Sequence, residues 1–148
     1  MYLLGLFGDL SEKDQHPFFT DENFAVNLIN VQKRLNRVKK RNQTLKLING
    51  FFSKTLDRKT PSSYGIQKGS VVLIDCDTYS ASLSCFRFII PAIQEGTIII
   101  IDDFYSYRGN SRKGTYGAFQ IFLKEYKKYK FRRIYDYGVG GIAYIAYK

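Results

Sequence analysis

The chain has 148 residues, of which 45% are hydrophobic, and a formal net charge of +10. This hydrophobic content excludes a disordered tail, and the length suits a single domain, 1–148, with its own core. The two cysteines, Cys76 and Cys85, do not have the spacing of a disulfide framework, and no apolar run approaches the roughly 20 residues that cross a bilayer. Because the start also lacks a basic leader and a cleavage site, the sequence predicts a cytoplasmic protein with free thiols.

The positive charge has two interpretations. Lysine and arginine total 23, and a surface rich in them can attract nucleic acid or an anionic membrane. The two main basic runs, 33–41 and 124–133, instead continue an amphipathic helix and straddle a helix end, where cations favour the helix dipole. We therefore favour scattered, solvated charges and expect neither nucleic acid nor a membrane as a partner.

The first part of the chain predicts a short strand at 2–7, a helix and a second strand at 44–49. Apolar residues recur at spacings of four and three along the helix, which should end by about Lys40. They predict one buried helical face, formed by Phe24, Leu28, Val31, Leu35 and Val38.

The stretch 70–107 predicts the central unit of the fold. Two apolar runs, 71–74 and 97–101, flank a segment of helical length that should close at Glu95 and Gly96. Runs that do not alternate are typical of strands covered on both faces, and strand–helix–strand order predicts a parallel crossover. A later helix at about 113–129 and a hairpin of 131–137 with 142–147 complete a three-layer α/β fold.

Acidic residues follow both central strands. Asp75 and Asp77 come after the first, and Asp102 and Asp103 after the second. Carboxyl ends of parallel strands meet at one edge, where open α/β sheets bind ligands, so these four side chains should converge. Mutual repulsion would raise their pKa values, and a hard cation such as Mg²⁺ would relieve it. Alternatively, Asp77 caps the next helix, and Asp102 or Asp103 bonds loop amides.

The segments VVLIDCDTYS at 71–80 and FIIPAIQEGTIIIIDDFY at 88–105 resemble the macrocin O-methyltransferase (TylF-like) family. This family is a branch of the class I methyltransferases that depend on S-adenosylmethionine. Weaker similarities lie at Phe7, Leu10 and Glu12, at 49–56, at 114–123 and in the hairpin at 137–143. The resemblance implies a Rossmann-like three-layer α/β/α sheet, mostly parallel, with a C-terminal antiparallel hairpin.

The same resemblance implies a metal-assisted O-methylation. Asp75, Asp102 and Asp103 would hold Mg²⁺, and Asp77 would take the proton from the acceptor. The acceptor would be a small molecule with a hydroxyl group, typically a sugar. Gly50 and Phe51 would belong to the binding site for S-adenosylmethionine.

The chain departs from the family pattern in the donor-binding half. No strand with a glycine-rich turn precedes Tyr2, Gly5 stands at the ribose-binding acid, and Thr115 replaces a commonly acidic residue. The pattern therefore predicts an N-terminally truncated or inactive methyltransferase whose first strand is missing. The open sheet edge left behind would favour self-association or pairing with a partner chain.

Two other functions stay open at this point. The D-C-D-T sequence at 75–78 matches the signature of haloacid dehalogenase-like magnesium phosphatases, with Asp75 as nucleophile and Asp77 as acid/base, although the second acidic pair follows too soon. A non-catalytic module that binds nucleic acid or protein is the second alternative. Its candidate surface consists of Tyr105, Tyr107, Arg108, Arg112 and Tyr116.

Overall fold

The structure, a computed structural model, describes residues 2–4, 28–41 and 43–148. The expectations for Gly5, Phe7, Leu10, Glu12 and Phe24 lie outside these ranges. The strands are β1 (Tyr2–Leu4), β2 (Lys46–Ile48), β3 (Gly69–Ile74), β4 (Ile93–Ile101), β5 (Lys130–Tyr137) and β6 (Gly141–Tyr147). The α-helices are α1 (Leu28–Val38), α2 (Phe52–Thr55), α3 (Tyr79–Ile89) and α4 (Gly114–Glu125), with 3₁₀ turns at Pro61–Tyr64 and Ile90–Ala92. None of these helices has the length and apolar character that crossing a membrane requires.

The four later strands form one sheet in the order β3-β4-β6-β5. β3 runs parallel to β4, with Ile74 opposite Ile101, and α3 forms the crossover between them. β6 is antiparallel to both β4 and β5. The predicted parallel crossover and the closing hairpin are therefore confirmed.

The described strands do not form the single, mostly parallel sheet that the sequence predicted. β1 and β2 make a separate two-stranded parallel sheet, and two of the four strand pairings in the described part are antiparallel. The division occurs at β3, which pairs with β4 on one side and with no described strand on the other. The three-layer arrangement stays a prediction.

The core lies between one face of the four-stranded sheet and the packed pair α3 and α4. Phe86, Phe119 and Phe122 are completely buried there, and their rings stack or tilt against one another at centroid distances of 5.2–5.8 Å. The strands contribute Ile74, Ile99, Ile101, Ile142 and Ala146, which all belong to this cluster. Burial of this apolar surface is the main stabilising contribution to the fold.

The opposite face of the same sheet is exposed along β3. Val71 and Leu73 are 61% and 57% exposed, whereas Ile74 on the helix-covered face is 2% exposed. Across the sheet, Tyr135 on β5 is 67% exposed. The non-alternating runs predicted cover on both faces. That prediction is wrong for β3, where Val71 and Leu73 are exposed, whereas Ile98 and Ile100 in the second run are half-buried.

The burial of α1 and the end of the central helix also differ from the expectations. In α1 only Leu35 is buried, and Leu28 and Val38 are exposed, so the predicted buried face is wrong for these two. The central helix ends at Ile89, because Pro91 lacks the amide that would continue it, and β4 already begins at Ile93. Residues 93–96, which the sequence assigned to the helix, therefore belong to β4. The pairing of this part of β4 with β3 is irregular, with a register shift between Gly69 and Val71.

Candidate active site at the acidic strand ends

Three of the predicted aspartates converge where β3 and β4 end. Asp75, Asp77 and Asp103 each offer a carboxylate oxygen, and the three oxygens lie within 4.8 Å of one another. Asp75 is exposed, and the other two are half-buried. They meet because β3 and β4 are parallel neighbours in register, so that both chains leave the sheet at the same edge. We call these three residues the acidic group.

Repulsion and burial shift the protonation of this group. Burial, a hydrogen bond with Asp103 and the neighbouring carboxylates raise the pKa of Asp77 to about 8. Partial burial, followed by the charges of Asp102 and Asp103, also raises the pKa of Asp75. Without a counter-charge, Asp77 therefore keeps its proton at neutral pH and donates it in the hydrogen bond to Asp103.

The backbone at both strand ends is left-handed. Asp77 and Asp103 have φ values of 57° and 49° and, with Arg108, are the described non-glycine residues with positive φ. Aspartate tolerates this region better than most residues, but the conformation still has a cost. The amide of Thr78 donates to the carbonyl of Cys76 at 2.5 Å across the first turn, and Ser106 holds Asp103 through its hydroxyl at 2.8 Å. The fold thus holds the carboxylates of Asp77 and Asp103 in place at a cost in stability.

Asp102 lies outside the acidic group. Its amide donates to the carbonyl of Ile74 at 2.8 Å and extends the β3–β4 ladder. Its side chain accepts a hydrogen bond from the hydroxyl of Tyr137, and burial and the charge of Asp102 raise the pKa of this tyrosine to about 12. Adjacent residues at a strand end project in different directions. Asp102 therefore contacts Tyr137, whereas Asp103 belongs to the acidic group.

Tyr137 is a site residue that the sequence did not single out as functional. It lies opposite Gly141 in the closing hairpin, and a Cβ atom on that glycine would lie within 2.6 Å of the Tyr137 ring. Only glycine lets the ring lie flat over the neighbouring strand and reach Asp102. The sequence did carry a signal for this contact, because Tyr137 and Gly141 flank the turn of the predicted hairpin. An aromatic ring often covers a glycine on the neighbouring strand.

The acidic group has features that fit a divalent cation. The donors are carboxylate oxygens, the ligand type that Mg²⁺ prefers. Neighbouring ligands of an octahedral Mg²⁺ are about 3 Å apart and opposite ligands about 4.2 Å, so the oxygens, now within 4.8 Å of one another, would move closer together around the ion. The hydroxyl of Thr78, next to Asp77, is buried without a hydrogen-bond partner in the described part of the structure. A buried hydroxyl of this kind is normally satisfied by water or a ligand.

Gly50 and Phe51 follow the carboxyl end of β2. Gly50 has a φ of 134°, and a Cβ there would lie 3.0 Å from the side chain of Thr55. Phe51 is 43% exposed and immediately precedes α2, where Lys54 approaches its ring. The glycine therefore allows the sharp entry into α2, and the binding role of both residues stays a prediction.

Two of the three tyrosines of the candidate binding surface after Asp103 pack inward. Tyr107 is 9% exposed and lies against Gly114, and the ring of Tyr116 stacks on Phe104 at 4.3 Å. Thr115 is completely buried and its hydroxyl lies 3.0 Å from that of Ser82, which ties α4 to α3. Of the three tyrosines in the candidate binding surface, Tyr105, Tyr107 and Tyr116, only Tyr105 is exposed. This arrangement disfavours the nucleic-acid module.

Comparison with known proteins then identifies the family. The pattern of the macrocin O-methyltransferase (TylF) family matches residues 9–122, a range that includes the acidic group. The chain belongs to this family. The predicted resemblance is thereby confirmed, and because the match includes the D-C-D-T segment, that segment belongs to a methyltransferase family pattern, which disfavours the phosphatase alternative. No curated protein sequence matches the chain.

Two solved structures share the fold of this family member. The O-methyltransferase NovP superposes with a TM-score of 0.65 at 16% identity, over 84% of this chain and 46% of NovP. CalS11, a TDP-rhamnose 3′-O-methyltransferase of calicheamicin biosynthesis, superposes with a TM-score of 0.53 at 15% identity, over 86% of this chain and 56% of CalS11. The chain thus spans about half the length of these structures.

Proposed function

We propose that this protein takes part in the methylation of a hydroxyl group on a small molecule, of the sugar class, with S-adenosylmethionine as methyl donor and a divalent cation, Mg²⁺, at the acidic group. Membership of an O-methyltransferase family supports the reaction class. The similarity to CalS11 supports the acceptor class, because that protein is a TDP-rhamnose methyltransferase. We also propose that residues 1–148 act as one methyltransferase domain.

The observation that carries this proposal is the approach of three carboxylates from two neighbouring strand ends within 4.8 Å. When bound there, Mg²⁺ would polarise the acceptor hydroxyl and lower its pKa. Asp75 and Asp103 would hold the cation from the ends of β3 and β4. Asp102, proposed as a third ligand, would first have to leave its hydrogen bond with Tyr137.

Asp77 is proposed as the general base. Its pKa of about 8 in the metal-free protein is close to neutral pH, which suits a group that must exchange a proton with the acceptor. A positive charge beside Asp75 and Asp103 would lower that pKa and leave Asp77 ionised before the acceptor arrives. Ser106 would hold Asp103 in place during this change.

Donor binding by Gly50 and Phe51 is a separate proposal, because it requires surface beyond the acidic group. Titration calorimetry with S-adenosylhomocysteine, with and without Mg²⁺, tests it directly. Heat of binding that is lost in Phe51→Ala would support the proposal. The absence of heat under both conditions would contradict donor binding by this chain alone and agree with the predicted truncated or inactive form.

Cation binding is tested with Mn²⁺, because the electron paramagnetic resonance signal of its unpaired electrons distinguishes the free ion from the bound ion. We expect one bound Mn²⁺ that Mg²⁺ displaces, and at least tenfold weaker binding in Asp75→Asn and Asp103→Asn. Glu95→Gln is the matched control, since Glu95 is an exposed acid near the other end of β4. Unchanged affinity in both site variants would refute the cation site. Transfer of labelled methyl groups to a panel of nucleotide sugars then tests the reaction.

A contact surface is proposed at the outer edge of β3. Val71 and Leu73 are exposed there, and the strand has no described neighbour on that side. We propose that a second polypeptide adds a strand at this edge. The net charge of +10 opposes close packing of two identical chains, so a partner of negative net charge fits best.

In the purified chain the same surface should cause weak, concentration-dependent association. Leu73→Thr should reduce it, whereas Val139→Thr, at a fully exposed hairpin position, should not. Sedimentation velocity over a range of concentrations measures this difference. A chain that stays monomeric at high concentration and unfolds cooperatively would argue against the contact surface.

A further inference from the structure

The two cysteines of the chain lie next to each other directly beside the acidic group. Cys76 is half-buried between Asp75 and Asp77, and Cys85 is buried on α3. Their Sγ atoms are 3.5 Å apart, within reach of a weak S–H···S hydrogen bond. Nothing in the proposed methyl transfer uses either thiol, so this pair needs another explanation.

The distance is short enough for a disulfide after a small movement. An S–S bond is about 2.05 Å long, so the two sulfurs must approach by about 1.5 Å. Rotation of the side chains and a small shift of the turn at Cys76 can supply this, because Cys76 lies after the last residue of β3 and not within the strand. Cys85 is held in the middle of a helix and would stay in place.

The two thiols differ in access. Cys76 is partly exposed, so a reagent in solution reaches it first, whereas Cys85 is 5% exposed. The hydrogen bond with Cys76 and burial raise the pKa of Cys85 well above its usual range. Cys85 is thus shielded from solvent and lies beside the one sulfur with which it could react, which is the arrangement of a resolving cysteine.

We propose that Cys76 and Cys85 form a reversible disulfide that disturbs the acidic group, an effect that rests on the proposed function of that group. The oxidant is a low-molecular-weight disulfide, RSSR. Cys76 loses its proton and attacks one sulfur of RSSR; the S–S bond breaks, and RS⁻ leaves and takes up the proton. Cys85 loses its proton and attacks the Cys76 sulfur, and the second RS⁻ leaves and takes up that proton. The two cysteines together lose two electrons and two protons, and RSSR is reduced to two RSH.

The bond would act on the site through the backbone. The carbonyl of Cys76 accepts the hydrogen bond that closes the turn at Thr78, and Asp77 within this turn is left-handed. A movement of Cys76 towards α3 must therefore shift the two flanking aspartates relative to Asp103. We expect the oxidised chain to bind Mn²⁺ at least tenfold more weakly, as is usual when the support of metal ligands is disturbed.

The first experiment detects the bond itself and is independent of methyl transfer. The chain is equilibrated with glutathione disulfide, and intact mass, free thiols and non-reducing electrophoresis are measured. We expect a monomer that has lost two hydrogen atoms, has no free thiol and contains no bound glutathione. A stable glutathione adduct on the natural chain, disulfide-linked dimers or two unreacted thiols would each overturn the proposal.

Variants assign the order of attack. Cys85→Ser should stop the reaction at a glutathione adduct on Cys76, and Cys76→Ser should leave Cys85 unmodified because it is buried. Cys85→Ala repeats the first test without a buried hydroxyl, in case the serine variant is unstable. Modification of Cys85 in folded Cys76→Ser would contradict the assignment.

The second experiment measures Mn²⁺ affinity in the oxidised and reduced chain, with Cys76→Ser treated identically as the control, because this variant can form neither the disulfide nor a glutathione adduct beside the aspartates. A tenfold loss that dithiothreitol reverses, absent from the control, supports the coupling. Equal affinity in both forms would overturn the coupling even if the bond forms. The absence of Mn²⁺ binding in the reduced chain would refute the cation site instead, so the two failures are distinguishable.

Discussion

The helix-covered face of the sheet and the acidic edge of the same sheet contribute to stability in opposite ways. Beneath α3 and α4, apolar side chains are completely buried and pack against one another. At the edge, three carboxyl groups lie so close together that the pKa of one is raised to about 8. Two of these residues have left-handed backbones, and a neighbouring hydroxyl has no hydrogen-bond partner in the described part of the structure. The first region stabilises the fold, and the second reduces its stability, which is typical of a site arranged for a ligand.

The strongest test of this contrast removes a ring from the covered face. Phe119 is 0% exposed and its ring lies 4.7 Å from that of Tyr144 and 5.5 Å from that of Phe86. Phe119→Ala should lower the free energy of unfolding by about 3–5 kcal/mol, because it leaves a large cavity. Urea denaturation measures it, with Tyr135→Ala as the exposed control. A loss below about 1 kcal/mol would show that the core is not packed as described.

A smaller effect is expected where the hairpin approaches the edge. Gly141→Ala would place a Cβ within 2.6 Å of the Tyr137 ring, whereas Gly140→Ala meets its nearest neighbour at 3.7 Å. We expect Gly141→Ala to lower the free energy of unfolding by about 1–3 kcal/mol, as overpacking does, and Gly140→Ala to change it little. Equal effects of the two substitutions would mean that the ring does not lie over Gly141.

At the acidic edge a substitution should raise stability. The pKa of Asp77 is about 8 in the folded chain against an ordinary 3.8. Between these values the folded chain holds a proton that the unfolded chain has lost, so stability falls as pH rises and levels off above about pH 8. Asp77→Asn keeps a residue that tolerates the left-handed backbone and should remove this dependence.

The gain of Asp77→Asn over the natural chain should therefore grow from about pH 5 to about pH 8 while methyl transfer is lost. Thermal unfolding measures it, and each kcal/mol corresponds to about 2–4 °C in a domain of this size. Glu95→Gln, at an exposed position, should show no such growth. A variant that is less stable than the natural chain at the upper end of this pH range would contradict the raised pKa.

The smallest effect is expected for Tyr137→Phe, which removes only the hydrogen bond to Asp102. We expect a loss of about 0.5–1.5 kcal/mol in the free energy of unfolding. If Asp102 becomes free to join the acidic group, Mn²⁺ should bind more tightly in this variant. Weaker binding would indicate that the tyrosine supports the site and does not restrain Asp102.

The sequence predicted the parts of the fold that are set by local pattern. Two apolar runs separated by one helix made β3, α3 and β4 recognisable, and their parallel pairing places Asp75 and Asp103 at one edge. The hairpin followed from two strand patterns around 138–141. The family was identified from the same central residues.

Contacts between distant side chains could not be predicted in this way. Ile90 and Ile93 have helical spacing, so the pattern did not reveal that Pro91 ends the helix and that β4 starts at Ile93. The division of the double aspartate depends on Tyr137 lying over Gly141, a tertiary contact. The approach of Cys76 and Cys85 likewise depends on how α3 packs under the end of β3.

The one-sided pairing of β3 has a consequence for amide hydrogen exchange. Along a strand, successive amides point alternately to its two neighbours, and β3 has a described neighbour only on the β4 side. Every second amide of β3 should then exchange with solvent deuterium rapidly, and those between should be slow. β4 is hydrogen-bonded to β3 on one side and to β6 on the other, so all of its amides over Ile98–Ile101 should exchange slowly.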